Sequence, residues 1–308
     1  MKRMKTNFKS SIHAARRSFG ALVCVGAVLL ITTSSAQAQN LFVGVNGAGV
    51  YEYTPGGVQI AFIPGLGGPT GLAFNSAGDL FEASGGSGNG SGYITEITPG
   101  GTQSIFASGF DNPQGLALNN AGDLFVASGI NDIIEITPSG AESTFASGLD
   151  RPTGLAFNSA GDLFEADQYS GNIYEFTSGG VRSTFASGLV GPWGLAFSST
   201  GNLFVANSSA SDILEITPSG VRSTFATGLS YPNELAFDNA GNLFVADGAA
   251  DNIYEITPSG VRSTFASGLD NPVGLAFQGI TLPVPEPSTL GLLAVGVPAL
   301  LVRRRRKQ

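Results

Sequence analysis

The chain has 308 residues, 42% of them hydrophobic, with 44 glycines and only 12% charged, which suits short strands and tight turns over a large core and excludes a disordered or mainly helical chain. The formal net charge of −8 conceals a segregation: six bases precede residue 39 and five follow residue 302, so the middle keeps four (Arg151, Arg182, Arg222, Arg262) against 22 acids, a net of about −18. A surface that acidic repels phosphate backbones and excludes nucleic acid as a partner.

Residues 1–38 read as an export signal. A basic stretch ends at Arg17, an apolar run extends from Gly20 to Ile31, and Ala36-Gln37-Ala38 supplies a small-x-small cleavage pattern that leaves Gln39 as the new N-terminus. Arg16-Arg17-Ser18-Phe19 loosely matches a twin-arginine motif; paired arginines are common in basic leaders, so the general secretory route is preferred. The single Cys (Cys24) and the single His (His13) both fall in this leader. Beyond it, disulfides, thiolate or histidine metal sites and Ser-His-Asp catalysis are excluded.

Repeats begin at residue 40. GLAF-type segments start at Gly71, Gly115, Gly154, Gly194, Glu234 and Gly274, with spacings of 44, 39, 40, 40 and 40. In the unit Glu234–Val273 the apolar runs are Leu235–Phe237, Leu243–Ala246, Ile253–Ile256 and Ser263–Ala266, separated by Asn, Gly and Pro turn signals. No run is long enough for a stable helix. Four short strands per forty residues is the pattern of a propeller blade. Leu243 and Val245 point one way and Phe244 and Ala246 the other, so both faces are apolar, as in a sheet clamped between neighbours. The fourth run carries Arg262, Ser263 and Thr264 and reads as the outer edge.

The ends fix the blade count. Asn40–Thr70 supplies the second, third and fourth strands of a blade but no first; Gly274–Phe277 supplies a first strand alone. The expected fold is all-β: a six-bladed β-propeller over residues 39–282, closed by pairing Gly274–Phe277 beside Leu41–Val45.

From residue 283 the character changes. Val284-Pro285-Glu286-Pro287-Ser288-Thr289 is followed by an apolar run, Leu290–Val302, and then by Arg303, Arg304, Arg305, Arg306 and Lys307. This tripartite tail, 283–308, resembles a PEP-CTERM sorting signal. The resemblance implies a short transmembrane segment held by its cytoplasmic bases, cleavage near Pro285-Glu286-Pro287 by an exosortase, and release to the cell surface or extracellular matrix of a Gram-negative bacterium. Membrane contact is then confined to the C-terminal segment before processing.

The repeats themselves share "P-x-G-L-A-F … G-D/N-L-F-V-A-D/N … I-x-E-I-T-P-x-G" over residues 40–282. In that pattern the chain is similar to NHL-repeat propellers and to SMP-30/gluconolactonase-like propellers. It is similar also to streptogramin lyase-type propellers, which depend on a His that the repeats here lack. The SMP-30 resemblance implies metal ligands near the central channel, some of them at the x of Pro-x-Gly. That place holds Thr70, Gln114, Thr153, Trp193, Asn233 and Val273. Asn233 alone is a ligand type of that family, and its neighbour Glu234 replaces the Gly of every other repeat. A Ca²⁺ site wants several oxygen ligands, usually with carboxylates, and no x position holds one.

A second set of positions, at the end of the second strand, holds Val45, Ser84, Ser128, Asp167, Asn207 and Asp247. Asp167, Asn207 and Asp247 come from consecutive blades. With Asn233 and Glu234 they form the candidate set for Ca²⁺ or another divalent cation; as turn residues they would instead bond their own loop backbones. The turns on one face are near-identical between repeats, whereas the loops after the second strand vary, the pattern of a recognition surface on a repeat scaffold. Trp193, Gln114, Thr70 and Thr153 are its candidate ligand contacts. The reading is an exported, non-enzymatic binding protein for a surface polysaccharide or protein. The alternative is a divalent-metal-dependent hydrolase of SMP-30/gluconolactonase type.

Overall fold

The computed structural model describes residues 39–86, 90–129 and 131–279. The export signal, the loop positions 87–89 and 130, and the sorting tail with Pro285, Glu286, Pro287 and Arg303 to Arg306 lie outside the described residues. Twenty-four strands form six four-stranded antiparallel sheets, one per blade, arranged as a ring. Blades 1 to 5 run in chain order: 69–110, 116–146, 152–186, 192–227 and 232–267. Each places its strands in the order first, second, third, fourth across the sheet. Among the described residues the only helical elements are short 3-10 turns at Ser208–Ala210 and Gly248–Ala250, and no helix is long and apolar enough to cross a membrane.

Blade 6 closes the ring. The last strand, β24 (Pro272–Phe277), pairs antiparallel with the first, β1 (Leu41–Val45), setting Leu41 opposite Phe277, Phe42 opposite Ala276 and Val43 opposite Leu275. This is the shared blade that the complementary ends of the sequence require.

The second strand of every blade is buried along its whole length, on both faces. Six apolar clusters follow, one between each pair of neighbouring blades. Their recurring element is a three-ring stack. Phe164 of blade 3 meets Phe185 of the same blade edge-on at 5.0 Å and Phe197 of blade 4 at 5.0 Å. Phe125, Phe204 and Phe244 repeat the stack at the neighbouring interfaces. Edge-to-face pairs of this kind contribute about 0.5–1.5 kcal/mol each beyond area burial. The Phe of the "LF" and "LAF" segments is therefore what fastens blade to blade. The fourth strands are exposed at their polar starts, Arg182–Thr184 in blade 3 and Arg262–Thr264 in blade 5.

One expectation is corrected. The innermost strands of blades 3, 4 and 5 begin at the Pro of Pro-x-Gly (Pro152, Pro192, Pro232), two residues before the GLAF-type start and among the residues that read as turn signals. Pro152 pairs with Asp167, then the register shifts before Leu155 pairs with Glu165. Proline at a strand start lacks an N–H that the ladder there does not need, and the bulge re-aims the x and Gly residues toward the ring centre and the next blade.

Candidate binding face

The two ends of the blades are built differently. At one end, the turn between first and second strands is held by its own side chain: Asn158 Oδ1 accepts the N–H groups of Ala160 and Asp162 at 2.9 Å each, with Gly161 at φ 88°. Asn75, Asn119 and Asp238 repeat the arrangement. Blade 4 keeps the same backbone turn with Ser198 in that place.

At the other end the backbone repeats but the side chains do not. In blades 3, 4 and 5 the loop after the second strand donates two N–H groups to the crossover that opens the blade: Gln168 to Arg151 O and Tyr169 to Asp150 O, Ser208 to Gly191 O and Ser209 to Val190 O, Gly248 to Tyr231 O and Ala249 to Ser230 O. The frame is constant; what it displays changes.

The residue before each crossover proline lies in the left-handed region: Gly68, Asn112, Arg151, Gly191, Tyr231 and Asn271, the four non-glycines at φ 46° to 64°. Gly and Asn tolerate that region; a larger L-residue there costs about 1–2 kcal/mol. Arg151 and Tyr231 are the two larger side chains, and they flank Trp193. The Arg151 guanidinium lies 5.8 Å from the Trp193 ring, and Tyr231 meets that ring edge-on at 6.5 Å. On its other side Arg151 sits over Tyr169 at 5.2 Å and donates to its hydroxyl at 2.6 Å. Tyr169, Arg151, Trp193 and Tyr231 thus form one row across blades 3 to 5. Tyr169 is 63% and Tyr231 43% exposed.

The other expected ligand contacts face inward. Thr70 Oγ1 donates to Pro113 O at 2.7 Å and Thr153 Oγ1 to Pro192 O at 3.2 Å, each latching its blade to the next, and Gln114 Nε2 donates to Asn112 O at 3.3 Å. Gln114 and Thr153 are buried.

The candidate metal set divides in the same way. Asp167 Oδ2 accepts the Asp150 N–H at 2.7 Å, Asn207 Oδ1 the Val190 N–H at 2.7 Å, and Asp247 Oδ1 the Ser230 N–H at 2.7 Å. Each braces the crossover seventeen residues upstream, in its own blade. Asn233 Nδ2 donates to Pro272 O at 3.0 Å, toward blade 6. Glu234 turns the opposite way: Oε1 accepts the N–H of Leu235 at 3.3 Å and reaches the amide of Leu195 in blade 4. Glu234 as a residue keeps some contact with solvent, but its carboxyl lies in the ring centre, and burial pushes its pKa up to about 8 against the two amide bonds that lower it. Burial likewise raises Asp247, with the Ser230 amide lowering it. A calcium site needs oxygens converging on one point. Here oxygens of Asp167, Asn207, Asp247 and Glu234 are bonded to backbone amides, and among the described residues no group of three or more His, Cys, Asp or Glu gathers to hold a metal ion. These side chains do not fit the metal that the SMP-30 resemblance implies.

Two buried acids escape a motif search. Glu82 and Glu165 replace the middle valine of the second strand and are fully buried. Glu82 accepts from Ser84 Oγ at 2.9 Å, and burial pushes its pKa up to about 7 against the bonds from Ser84 and Thr95. Glu165 has no hydrogen-bond partner on either oxygen. Burial first, and Asp167 second, raise its pKa well above the carboxylate range, against the lowering effect of Arg182. Aligning the repeats column by column would reveal these glutamates, and also Arg151 and Tyr231 at their Gly/Asn position.

Comparison with known proteins supports the two ends of this picture. Residues 283–307 match the model of the PEP-CTERM protein-sorting motif. That motif implies export, sorting to the Gram-negative cell envelope and processing by an exosortase. No curated protein matches the sequence. Among solved structures, a chain of a nidogen/laminin complex aligns with TM-score 0.69 at 18% identity, covering 78% of this chain and 98% of that one. A putative gluconolactonase aligns with TM-score 0.60 at 17% identity, over 68% and 81%. Virginiamycin B lyase from Staphylococcus aureus aligns with TM-score 0.57 at 19% identity, over 69% and 78%. At such identities the likeness is one of fold. The chain is a six-bladed β-propeller that ends in a PEP-CTERM protein-sorting motif.

Proposed function

We propose that the protein is a non-enzymatic binding protein of the cell surface or extracellular matrix, and that it binds through the crossover face of blades 3 to 5. The observation that carries this is the row Tyr169–Arg151–Trp193–Tyr231, mounted on a backbone frame that is uniform across blades 3 to 5. Two of its members occupy left-handed positions where the remaining blades use Gly or Asn. Strain kept at one place in a repeat is a pointer to use there. Export and envelope sorting, implied by the C-terminal motif, would bring such a face within reach of envelope components. The nidogen/laminin neighbour is a chain of a protein complex, so the fold itself is compatible with a role in binding.

The test is retention of the purified mature protein on envelope and matrix fractions from the producing cells. Substituting Tyr169 and Tyr231 together should abolish retention. Substituting Val181 and Val221, exposed at the opposite face, should leave it intact. The reverse result, with the opposite face required and the crossover face dispensable, refutes the reading.

A further inference from the structure

We propose that the row Tyr169–Arg151–Trp193–Tyr231 is a binding site for a neutral saccharide chain. This rests on the reading of the crossover face as the binding face and adds the chemistry of its ligand.

The first argument is the shape of the surface. The Arg151 guanidinium stacks over the Tyr169 ring at 5.2 Å and the Trp193 ring at 5.8 Å, and Tyr231 stands edge-on to Trp193 at 6.5 Å, which leaves the exposed rings of Tyr169 and Tyr231 at the two ends of the row. Rings present a flat apolar face with a polar tip at Tyr hydroxyl and Trp N–H. Their complement is a ligand with a flat apolar face and hydrogen-bonding groups around its rim. A pyranose has that form: C–H groups on the ring faces, hydroxyls at the edge. Aliphatic ligands or protein cores would ask for aliphatic lining. Among the described residues the large apolar side chains exposed on this face are Tyr169, Val190 and Tyr231, only one of them aliphatic. Protein interfaces need a contiguous apolar core over some hundreds of Å² per partner; here the exposed Tyr169 and Tyr231 are separated by a guanidinium and a half-buried Trp193.

The second argument is charge. The middle of the chain carries a net of about −18, so a polyanion is repelled over the whole surface. A cation drawn in by that field would meet the Arg151 guanidinium at the centre of the row. Arg182, Arg222 and Arg262, by contrast, donate to backbone carbonyls on the outer strands' side. What remains acceptable to the row is an uncharged ligand.

The third argument is rigidity. Tyr169 is fixed from two sides, by its N–H to Asp150 O at 3.1 Å and by Arg151 on its hydroxyl at 2.6 Å. Arg151 and Tyr231 are each anchored by a backbone carbonyl bond, from Gln168 and Gly248. Ring planes held in place lose little freedom when a chain is laid over them.

The intact mature protein should be titrated with hexasaccharides of three charge classes: neutral (cello-, xylo- and mannohexaose), anionic (hexagalacturonate) and cationic (hexaglucosamine). Trp193 is the only Trp in the chain, so its emission reports the row directly, with calorimetry as the second readout. At least one neutral chain should quench or shift the emission and bind at least tenfold more tightly than either charged chain. Tyr231→Asn places there the residue used at Asn112 and Asn271, and Trp193→Thr the residue used at Thr70 and Thr153. Each should weaken binding at least tenfold; the melting temperature should stay level or rise in Tyr231→Asn, which relieves a left-handed Tyr, and fall in Trp193→Thr, whose ring also packs on the cluster between blades 4 and 5. Preference for a charged chain, retention of binding in both variants, or loss of binding in Tyr231→Asn only together with a lowered melting temperature would each overturn the proposal. Silence of every saccharide while Tyr169 and Tyr231 are still required for envelope retention would overturn the ligand class and leave the binding face standing.

Discussion

Glu165 and Asp167 stand two residues apart on the same face of the second strand of blade 3, both buried, and neither Glu165 oxygen has a donor. In blade 1 the same two places hold Glu82 and Ser84, and there the hydroxyl satisfies the acid. An unpartnered buried carboxyl costs about 1–3 kcal/mol. The corresponding residue is Val126, Val205 and Val245 in blades 2, 4 and 5. Glu165→Val should therefore stabilise the fold by about 1–2 kcal/mol at pH 7, a rise of about 2–4 °C per kcal/mol in a domain of this size. Differential scanning calorimetry decides it; a lowered melting temperature would show that the acid has a favourable role.

The same acids set a pH dependence. Burial pushes Glu82 up to about 7 and Glu234 up to about 8, and raises Glu165 well above the usual carboxylate range. Unfolded, all three would titrate near 4.5. Between those limits the native state binds more protons than the unfolded chain, so stability falls as pH rises. The melting temperature should be highest near pH 5 and decline through pH 8, with a loss on the order of a few kcal/mol. The triple variant Glu82→Val, Glu165→Val, Glu234→Gly should flatten the curve. A wild-type profile that is flat or rises over this range contradicts the assignment.

How much of this is legible in the sequence follows from what repeats. The period, the four runs and the complementary ends at Asn40 and Phe277 specify the ring, because both faces of the second strand must be covered and every edge paired. Glu234 stands out as a broken rule, and the structure puts its carboxyl at the ring centre. The row was half visible. Trp193 is conspicuous as the only Trp, but Arg151 and Tyr231 matter through a left-handed backbone angle that no residue pattern displays. Asp167, Asn207 and Asp247 each lie opposite a strand-opening proline, beside bulges between Pro152 and Leu155, Pro192 and Leu195, and Pro232 and Leu235, which shift the strand starts and are equally hidden.

The ring centre admits no side chain at most of its glycines. A methyl built on Gly154 would overlap the Trp193 carbonyl and crowd the Gly194 backbone; on Gly115 it would overlap the Thr153 carbonyl. Backbone on both sides leaves nothing to yield. Gly154→Ala should cost about 3 kcal/mol or more, whereas Gly140→Ser, in a turn with open space but φ 83°, should cost about 1–2 kcal/mol. Urea unfolding of the two variants measures the difference; equal losses would mean the central strands are free to move apart.

Bracing by Asp247 predicts a structural role and no metal response. Its two oxygens accept the Ser230 N–H at 2.7 Å and 2.9 Å. Asp247→Ala should lower stability by about 1–3 kcal/mol by orphaning that amide. Millimolar Ca²⁺ should leave the melting temperature of the unaltered protein within about 1 °C, since a ligand at a hundred times its Kd would add about 2.7 kcal/mol. A Ca²⁺-dependent rise that vanishes in Asn233→Ala would instead restore the metal reading.

Closure rests on β24. Phe277 is buried, meets Phe244 of blade 5 edge-on at 5.0 Å, and lies opposite Leu41 in the ladder. Phe277→Ala should cost about 3–5 kcal/mol, the usual loss for a buried Phe. Deleting 272–279 goes further, because it leaves β1 as an unpaired edge between two blades and uncovers the apolar cluster of Leu41, Val43 and Val45. The single unfolding transition of the intact ring should become broader and lower, and the opened chain should self-associate through the free edge. Calorimetry and size-exclusion chromatography on the deletion variant read the two effects. An unchanged sharp transition from a monomer would show that five blades hold without the sixth, and that the pairing of the chain's two ends contributes little to the fold.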